Sequence, residues 1–105
     1  MIILLSGKQR AFLRSMANAF DPILHIGKGE ISPAVIKQAD EALTARELIK
    51  GKVLENSPVS PRQAAEEIAG RVDAEVVQVI GRTFVLYRKN QKDTKIILPD
   101  SGRDI

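Results

Sequence analysis

A glycine-rich loop is the first place in this sequence where chemistry could occur. Gly27-Lys28-Gly29-Glu30 follows a short apolar run and precedes a helix start at Ser32-Pro33. Glycine lets the main chain approach a phosphate closely, helix N-terminal amides carry partial positive charge, and Lys28 adds a full charge. The loop therefore favours phosphate binding, although an ordinary strand-to-helix turn would use glycine in the same way.

The same loop carries part of the dinucleotide-binding fingerprint G-x-G-x-x-G/A. Ser32 stands at the last position, and only Glu55 could serve as the acid that binds the ribose. A chain of 105 residues also leaves no room for the usual second half and substrate domain. Nucleotide binding is therefore the third-ranked interpretation of the sequence.

Side chains typical of an enzyme are poorly represented. The acidic pairs Asp40-Glu41 and Glu66-Glu67 are predicted on the solvent sides of amphipathic helices, where no cleft gathers them. His25 is the single histidine, and the absence of cysteine excludes disulfides, thiol nucleophiles and thiolate metal sites. We expect no catalysis, no cofactor, no metal and no small-molecule substrate.

Charge is segregated along the sequence. The 16 Lys and Arg against 13 Asp and Glu leave a net charge of only +3. Residues 53–81 carry 2 basic and 5 acidic groups, whereas residues 82–95 carry 5 basic and 1 acidic group. Most such charges are a solvated face. Several basic clusters together with the loop lysine nevertheless favour a phosphate-bearing partner. The candidates outside the loop are Lys8, Arg10, Arg14, Lys50 and Arg88.

Three helices and four strands are predicted, in the order α-β-α-β-α-β-β. Capping signals at Ser6, Ser32 and Ser60 start the helices, two of them followed by Pro. Apolar patterns give the strands. The predicted strands are 23–26, 48–55, 75–80 and 83–88, and the first helix is expected to bury a stripe of Phe12, Leu13, Met16, Ala17 and Phe20.

The last two strands are predicted to form a hairpin around Gly81-Arg82, a pair that suits a type II′ turn. That register places Val79 opposite Phe84, Val77 opposite Leu86, and Glu75 opposite Arg88. Both faces of the hairpin are largely apolar, so we expect the hairpin to lie inside the sheet.

The expected fold is α/β, a small mixed four-stranded sheet with helices packed on it. Two strand-helix-strand crossovers favour parallel neighbours, and the hairpin adds one antiparallel pair. Residues 1–99 are interpreted as one domain and residues 100–105 as a loose tail. No apolar run is long enough to span a membrane, which favours a cytoplasmic protein without a membrane partner.

Several ordered blocks resemble the CRM domain, in particular the stand-alone bacterial YhbY-type RNA-binding proteins. The blocks are Gly7-Lys8-Gln9-Arg10, Asp21-Pro22-Ile23, Ile26-Gly27-Lys28-Gly29, Arg46-Glu47-Leu48-Ile49-Lys50, Val77-Gln78-Val79-Ile80-Gly81 and Val85-Leu86-Tyr87-Arg88. The resemblance implies a fold like the C-terminal domain of translation initiation factor three. It also implies RNA binding without catalysis, and association with ribosomal RNA in precursors of the large ribosomal subunit.

Carried over to this chain, the resemblance implies that the loop Gly27–Glu30 binds RNA beside a basic surface of Lys8, Arg10 and Arg14. Glu30 departs from the family pattern, in which the fourth loop residue is usually glycine. A carboxylate there would repel a phosphate or else lie favourably at the helix N-terminus. Among the aromatic residues, Tyr87 is the candidate for stacking on a base.

An interpretation from another class is a protein-docking module whose contact with RNA is incidental. The acidic stretch 53–81, or the sheet, would then contact a protein partner.

Overall fold

The computed structural model describes residues 5–28, 31–90, 92 and 94–99. The helices are α1 (Gly7–Ala17), α2 (Pro33–Arg46) and α3 (Pro61–Val72), and the strands are β1 (Leu24–Ile26), β2 (Leu48–Val53), β3 (Glu75–Ile80) and β4 (Thr83–Tyr87). The α/β class, the three helices, the four-stranded mixed sheet and the element order agree with the prediction. The expected tail at residues 100–105 lies outside the described residues, so the domain boundary stays a prediction.

The helices begin where their capping signals predicted. Ser6 and Gln9 form a reciprocal capping box, each side chain accepting the other residue's backbone amide at 3.1 Å. Ser60 and Gln63 do the same at 3.1 and 2.9 Å. The Ser32 hydroxyl accepts from the amide of Val35, and Pro33 follows in the first turn. These signals are reliable because both partners lie within one turn of chain.

The strand order is β1-β2-β4-β3. β1 and β2 are parallel, whereas β4 runs antiparallel to both β2 and β3. The prediction of parallel neighbours is correct for β1 and β2 and wrong for β2 and β3, because β4 lies between those two strands. Four consecutive residues of β4 are buried, which suits a central strand. β3 is left at the edge with Ile80 62% exposed, so the hairpin lies only partly inside the sheet.

The hairpin register is correct near its turn and wrong beyond it. Val79 pairs with Phe84 as predicted, and the positive φ of Gly81 fits the first position of a type II′ turn. An irregularity between Val76 and Gln78 then shifts the ladder by one residue. The pairs beyond it are Val76–Leu86 and Glu75–Tyr87, in place of the predicted Val77–Leu86 and Glu75–Arg88.

The sheet separates two apolar clusters. α2 and α3 pack on one side, here called the α2/α3 face, where Phe84 is fully buried against Gly51 and leaves no space for a Cβ there. α1 and residues 96–98 pack on the other side, here called the α1 face. Leu13 and Ala17 are the buried residues of α1, whereas Phe12 is 37% exposed and does not belong to the buried stripe.

Tyr87 belongs to the cluster on the α1 face and is 1% exposed. Its suggested role in stacking on a base is therefore wrong, because α1 and the segment after β4 cover the ring. Burial raises the pKa of the Tyr87 hydroxyl above its usual value, and the negative charge of Glu47 raises it further.

Glu47 fastens the segment that covers Tyr87. It lies between α2 and β2 with a φ of 67°, and it is fully buried. Its carboxylate accepts backbone amides from Asn90 at 2.5 Å, Lys95 at 2.7 Å and Ile96 at 2.6 Å. These three charge-assisted hydrogen bonds compensate for the free-energy cost of burying the carboxylate. This arrangement holds Asn90, Lys95 and Ile96 against the end of the sheet.

Candidate nucleic-acid interface

Part of the α1 face is left uncovered at the end of the sheet that carries the hairpin turn. α1 packs over Leu48, Val77 and Tyr87 at the opposite end. Beyond α1, each of the four strands contributes one side chain to a row across the sheet. This open row consists of His25, Lys52, Thr83 and Ile80, of which only Thr83 is partly buried and the others are exposed.

A second row lies between the open row and α1. It consists of Lys50, Val85 and Gln78. The Lys50 ammonium donates to the carbonyl of Phe20 at 3.1 Å. One of its donors therefore binds the segment that follows α1. None of the seven residues in the two rows is acidic. This part of the sheet therefore carries positive charge without a carboxylate among its own side chains.

α1 forms one wall of the uncovered area. Arg10 donates from Nη1 to the carbonyl of Val76 at 2.6 Å, at the irregularity in β3. Gln9, on the other side of α1, donates to the carbonyl of Pro99. The Arg10 side of α1 therefore lies against β3, away from Pro99. Arg14 lies one turn further along that side and is half-buried.

The glycine-rich loop begins beside the open row. Gly27 and Lys28 follow β1 directly, and Lys28 is exposed. The amide of Leu54 donates to the carbonyl of Ile26 at 2.8 Å, which holds the ends of β1 and β2 together. Gly29 and Glu30 lie outside the described residues, so the effect of Glu30 on the loop stays a prediction.

Arg82 closes the same end of the sheet. Its guanidinium donates to the carbonyls of Val53 at 3.0 Å and Leu54 at 2.9 Å, and its own carbonyl accepts the amide of Val53. These bonds fix the hairpin turn against the end of β2. The Arg82 side chain is otherwise exposed and places a further positive charge at the rim of the open row.

Arg88 is placed away from this area. Its guanidinium donates to the Asp40 carboxylate at 2.7 Å, to the carbonyls of Asp40 and Val72, and to the hydroxyl of Thr44. These contacts join α2 and α3 to the segment after β4. The structure does not bring Arg88 to the open row, and its contacts account for it as a structural residue; its role in RNA binding stays a prediction.

The remaining predicted residues lie on α1 and in the second row. Lys8 is exposed in the first turn of α1, Arg10 and Arg14 lie one turn apart on the side of α1 that contacts β3, and Lys50 lies in the second row. Lys50 and Lys52 lie on the same face of β2, because they are two residues apart in the strand. His25 and Ile80 were not chosen as site residues, because only the strand order brings them to either side of Lys52 and Thr83.

Acidic side chains on the helices mark the other side of the molecule. On α3, Glu66 and Glu67 pair with Arg62 and Arg71 in exposed i,i+4 contacts, and Asp40 of α2 pairs with Arg88. These acidic side chains are balanced by cations on the same side of the molecule, whereas α1 carries Lys8, Arg10 and Arg14 without an acidic residue. An anionic partner therefore fits the α1 face better than the α2/α3 face.

The described residues offer little support for other kinds of site. No group of three or more His, Asp and Glu side chains within them could hold a metal ion. None of the helices in those ranges has the length and apolar character that crossing a membrane requires.

Comparison with known proteins agrees with this geometry. Residues 5–88 match the CRS1/YhbY (CRM) domain. The Bacillus subtilis protein YqeI, named a probable RNA-binding protein, is 44% identical over 96 residues, which cover 91% of this chain and all of that protein. A Haemophilus influenzae protein named as RNA-binding is 34% identical over 90% of this chain and 95% of its own length.

A solved structure gives the same result for the fold. The solution structure of a hypothetical Staphylococcus aureus protein, described as a candidate RNA-binding protein, superposes with a TM-score of 0.75. The two chains are 45% identical, and the match covers 91% of this chain and all of the other. With a family match over most of its length and relatives of this similarity, the chain belongs to the CRS1/YhbY (CRM) domain family.

Proposed function

We propose that this chain is a non-catalytic RNA-binding protein that binds ribosomal RNA in precursors of the large ribosomal subunit and assists their assembly in the cytoplasm. The RNA-binding names of its relatives support the general class. The observation that carries the proposal is the uncovered area of the α1 face. It combines an exposed Lys52 with Lys28, which follows β1 directly, and with Arg14 on the helix that covers the other end of this face, and its rows contain no carboxylate.

Capture of the RNA is electrostatic. Lys28 and the loop amides contact phosphates, while Arg14 and Lys52 orient the backbone across the sheet. Each phosphate neutralised by a cation releases condensed counterions, so the affinity falls as salt rises. Three such contacts give a slope of log K against log salt of roughly −2 to −3. Contacts of this kind position RNA without reading its sequence.

Gradient sedimentation of cell extract tests the assembly role. A tagged full-length chain, expressed in its own host, is followed by immunoblot across a sucrose gradient with and without ribonuclease. We expect it to migrate with large-subunit precursors, to be released by ribonuclease, and to carry precursor ribosomal RNA that sequencing identifies. A double variant Lys28→Ala, Arg14→Ala should move toward the top of the gradient.

The matched control removes two exposed cations from the opposite face. Arg62→Ala with Arg71→Ala changes the net charge equally and should leave the migration unchanged. Migration with precursors that survives ribonuclease would support the protein-docking interpretation instead. Sedimentation at the top of the gradient in both conditions would contradict the assembly role.

A further inference from the structure

We propose that the open row binds a single-stranded segment of RNA, with His25 and Ile80 contacting unpaired bases and Lys52 contacting a phosphate between them. This inference rests on the proposed function, because it assigns the kind of RNA and the residues that select it. It adds a surface on the sheet to the loop and helix residues indicated by the sequence.

The dimensions of the row suit a short single strand. Neighbouring strands lie about 4.8 Å apart, so a row across four strands spans about 14 Å. Four-stranded sheets in RRM domains hold two or three stacked bases on such a face. The row here is reached from solvent, because three of its four side chains are exposed and α1 packs at the other end of the sheet.

The side chains at the two ends of the row suit bases better than a duplex. His25 presents a planar imidazole on β1, a ring on which a base can stack. Ile80 presents an aliphatic side chain on the edge strand and is 62% exposed. An A-form duplex offers mainly phosphates and 2′-hydroxyls, whereas the faces of unpaired bases are open to such contacts. The combination therefore favours a segment with splayed bases.

The centre of the row supplies charge and hydrogen bonding. Lys52 is exposed between His25 on β1 and Thr83 on β4. An ammonium group on a flexible stem is suited to a phosphate as a point charge. The Thr83 hydroxyl already donates to the carbonyl of Ile80 at 3.0 Å, which leaves its oxygen as an acceptor for a base or a 2′-hydroxyl.

Charge decides between RNA and a protein partner for this face. An exposed isoleucine alone would also suit a protein interface. The centres of protein interfaces are, however, depleted of lysine. Here Lys52 lies at the centre of the row, Lys50 lies behind it, and none of the seven residues in the two rows is acidic. The rows are complementary to a polyanion.

Binding of two defined RNA probes tests the inference. The full chain is titrated into a fluorescein-labelled 12-nucleotide single strand without self-complementarity, and into a 12-base-pair blunt duplex, in the same buffer. Removing a stacking contact by alanine substitution weakens binding by about 5- to 150-fold per base, and an imidazole is a small stacking surface. We therefore expect His25→Ala with Ile80→Ser to weaken single-strand binding about tenfold and duplex binding by less than about twofold.

A gain of function keeps the test independent of folding. His25 and Ile80 are both exposed, and His25→Phe enlarges the stacking surface without burying it. It should strengthen single-strand binding about threefold or more while leaving the duplex unaffected. Lys52→Ala should weaken binding of both probes and reduce the salt slope by about 1.

The outcomes separate this inference from the function on which it rests. Failure of the wild type to bind either probe at low salt contradicts the proposed RNA binding and the row together. If the wild type binds RNA but the row variants bind the single strand equally well, the row alone is wrong. Equal losses on single strand and duplex would likewise overturn the assignment to unpaired bases. If the row variants bind both probes as tightly as the wild type but no longer migrate with precursors in the ribonuclease-treated gradient where the wild type does, the row is a protein interface.

Discussion

Replacing Glu47 by Gln tests how the covered half of the α1 face is maintained. The carboxylate is fully buried and accepts the backbone amides of Asn90, Lys95 and Ile96. Glutamine has nearly the same shape but only one acceptor oxygen. If that oxygen keeps the amides of Lys95 and Ile96, the new NH2 group faces the amide of Asn90, and two donors then confront each other.

The cost follows from these contacts. A hydrogen bond to a charged group contributes about 1.5–3 kcal/mol, against about 1 kcal/mol for a neutral one. Glu47→Gln weakens two such bonds and removes a third, while it avoids burying a charge. We expect the free energy of unfolding to fall by about 2–3 kcal/mol. For a domain of this size, each kcal/mol shifts Tm by about 4–8 °C, so Tm should fall by about 10–20 °C.

Thermal and urea unfolding at pH 7, followed by circular dichroism, measure this change. Glu41→Gln on the exposed side of α2 is the matched control and should change stability by less than about 0.5 kcal/mol. Hydrogen exchange locates the effect, because the amides of Asn90, Lys95 and Ile96 should lose protection in the Glu47 variant. A loss of stability no larger than that of the control would refute the reasoning.

Three further predictions concern the same framework and the RNA surface. Tyr87 is the only tyrosine and there is no tryptophan, so absorbance at 295 nm reports the ionisation of its hydroxyl. The midpoint should lie above pH 10 in the folded protein and return to about 10 in denaturant. Glu47→Gln should lower the midpoint of the folded protein. Because the folded pKa is the higher one, this group stabilises the fold fully below pH 10, and that stability is lost as pH rises through the folded value. Arg88→Lys keeps the charge but not the four hydrogen bonds, so Tm should fall while RNA affinity stays within about twofold; a tenfold loss of affinity with unchanged Tm would make Arg88 an RNA contact. Lys28→Ala with Arg14→Ala should weaken RNA binding and reduce the salt slope by about 1.4–1.8, as fluorescence anisotropy measures; equal binding across the salt series would show that neither side chain contacts phosphate.

The parts of the fold that the sequence predicts are those set by neighbouring residues. The capping boxes at Ser6 and Ser60 depend on partners three residues away, and the turn at Gly81 depends on a φ that glycine adopts freely. The family blocks gave the fold class, because several of them occur in the right order. Each of these signals can be read without knowing which strands are neighbours.

The parts that the sequence misses depend on contacts between distant segments. The apolar sequence of β4 is equally compatible with a central strand and with a strand next to a crossover connection. The register shift between Val76 and Gln78 leaves the alternation of apolar and polar residues in the hairpin sequence nearly unchanged. The sequence does not show that Tyr87 is buried, because the segment that covers it is held in place by a contact with the distant residue Glu47. The same limit applies to the candidate site, since the charge map includes Arg88 but cannot show that its guanidinium is already engaged.

Photo-cross-linking of bound RNA tests the central claim most directly, that RNA lies on the uncovered area of the α1 face. The full chain is irradiated with single-stranded RNA containing 4-thiouridine, and the cross-linked peptides are identified by mass spectrometry. We predict cross-links within residues 23–28, 50–54 and 80–84, which meet at this end of the sheet. Cross-links concentrated on α2 and α3, with none in those three segments, would contradict the account.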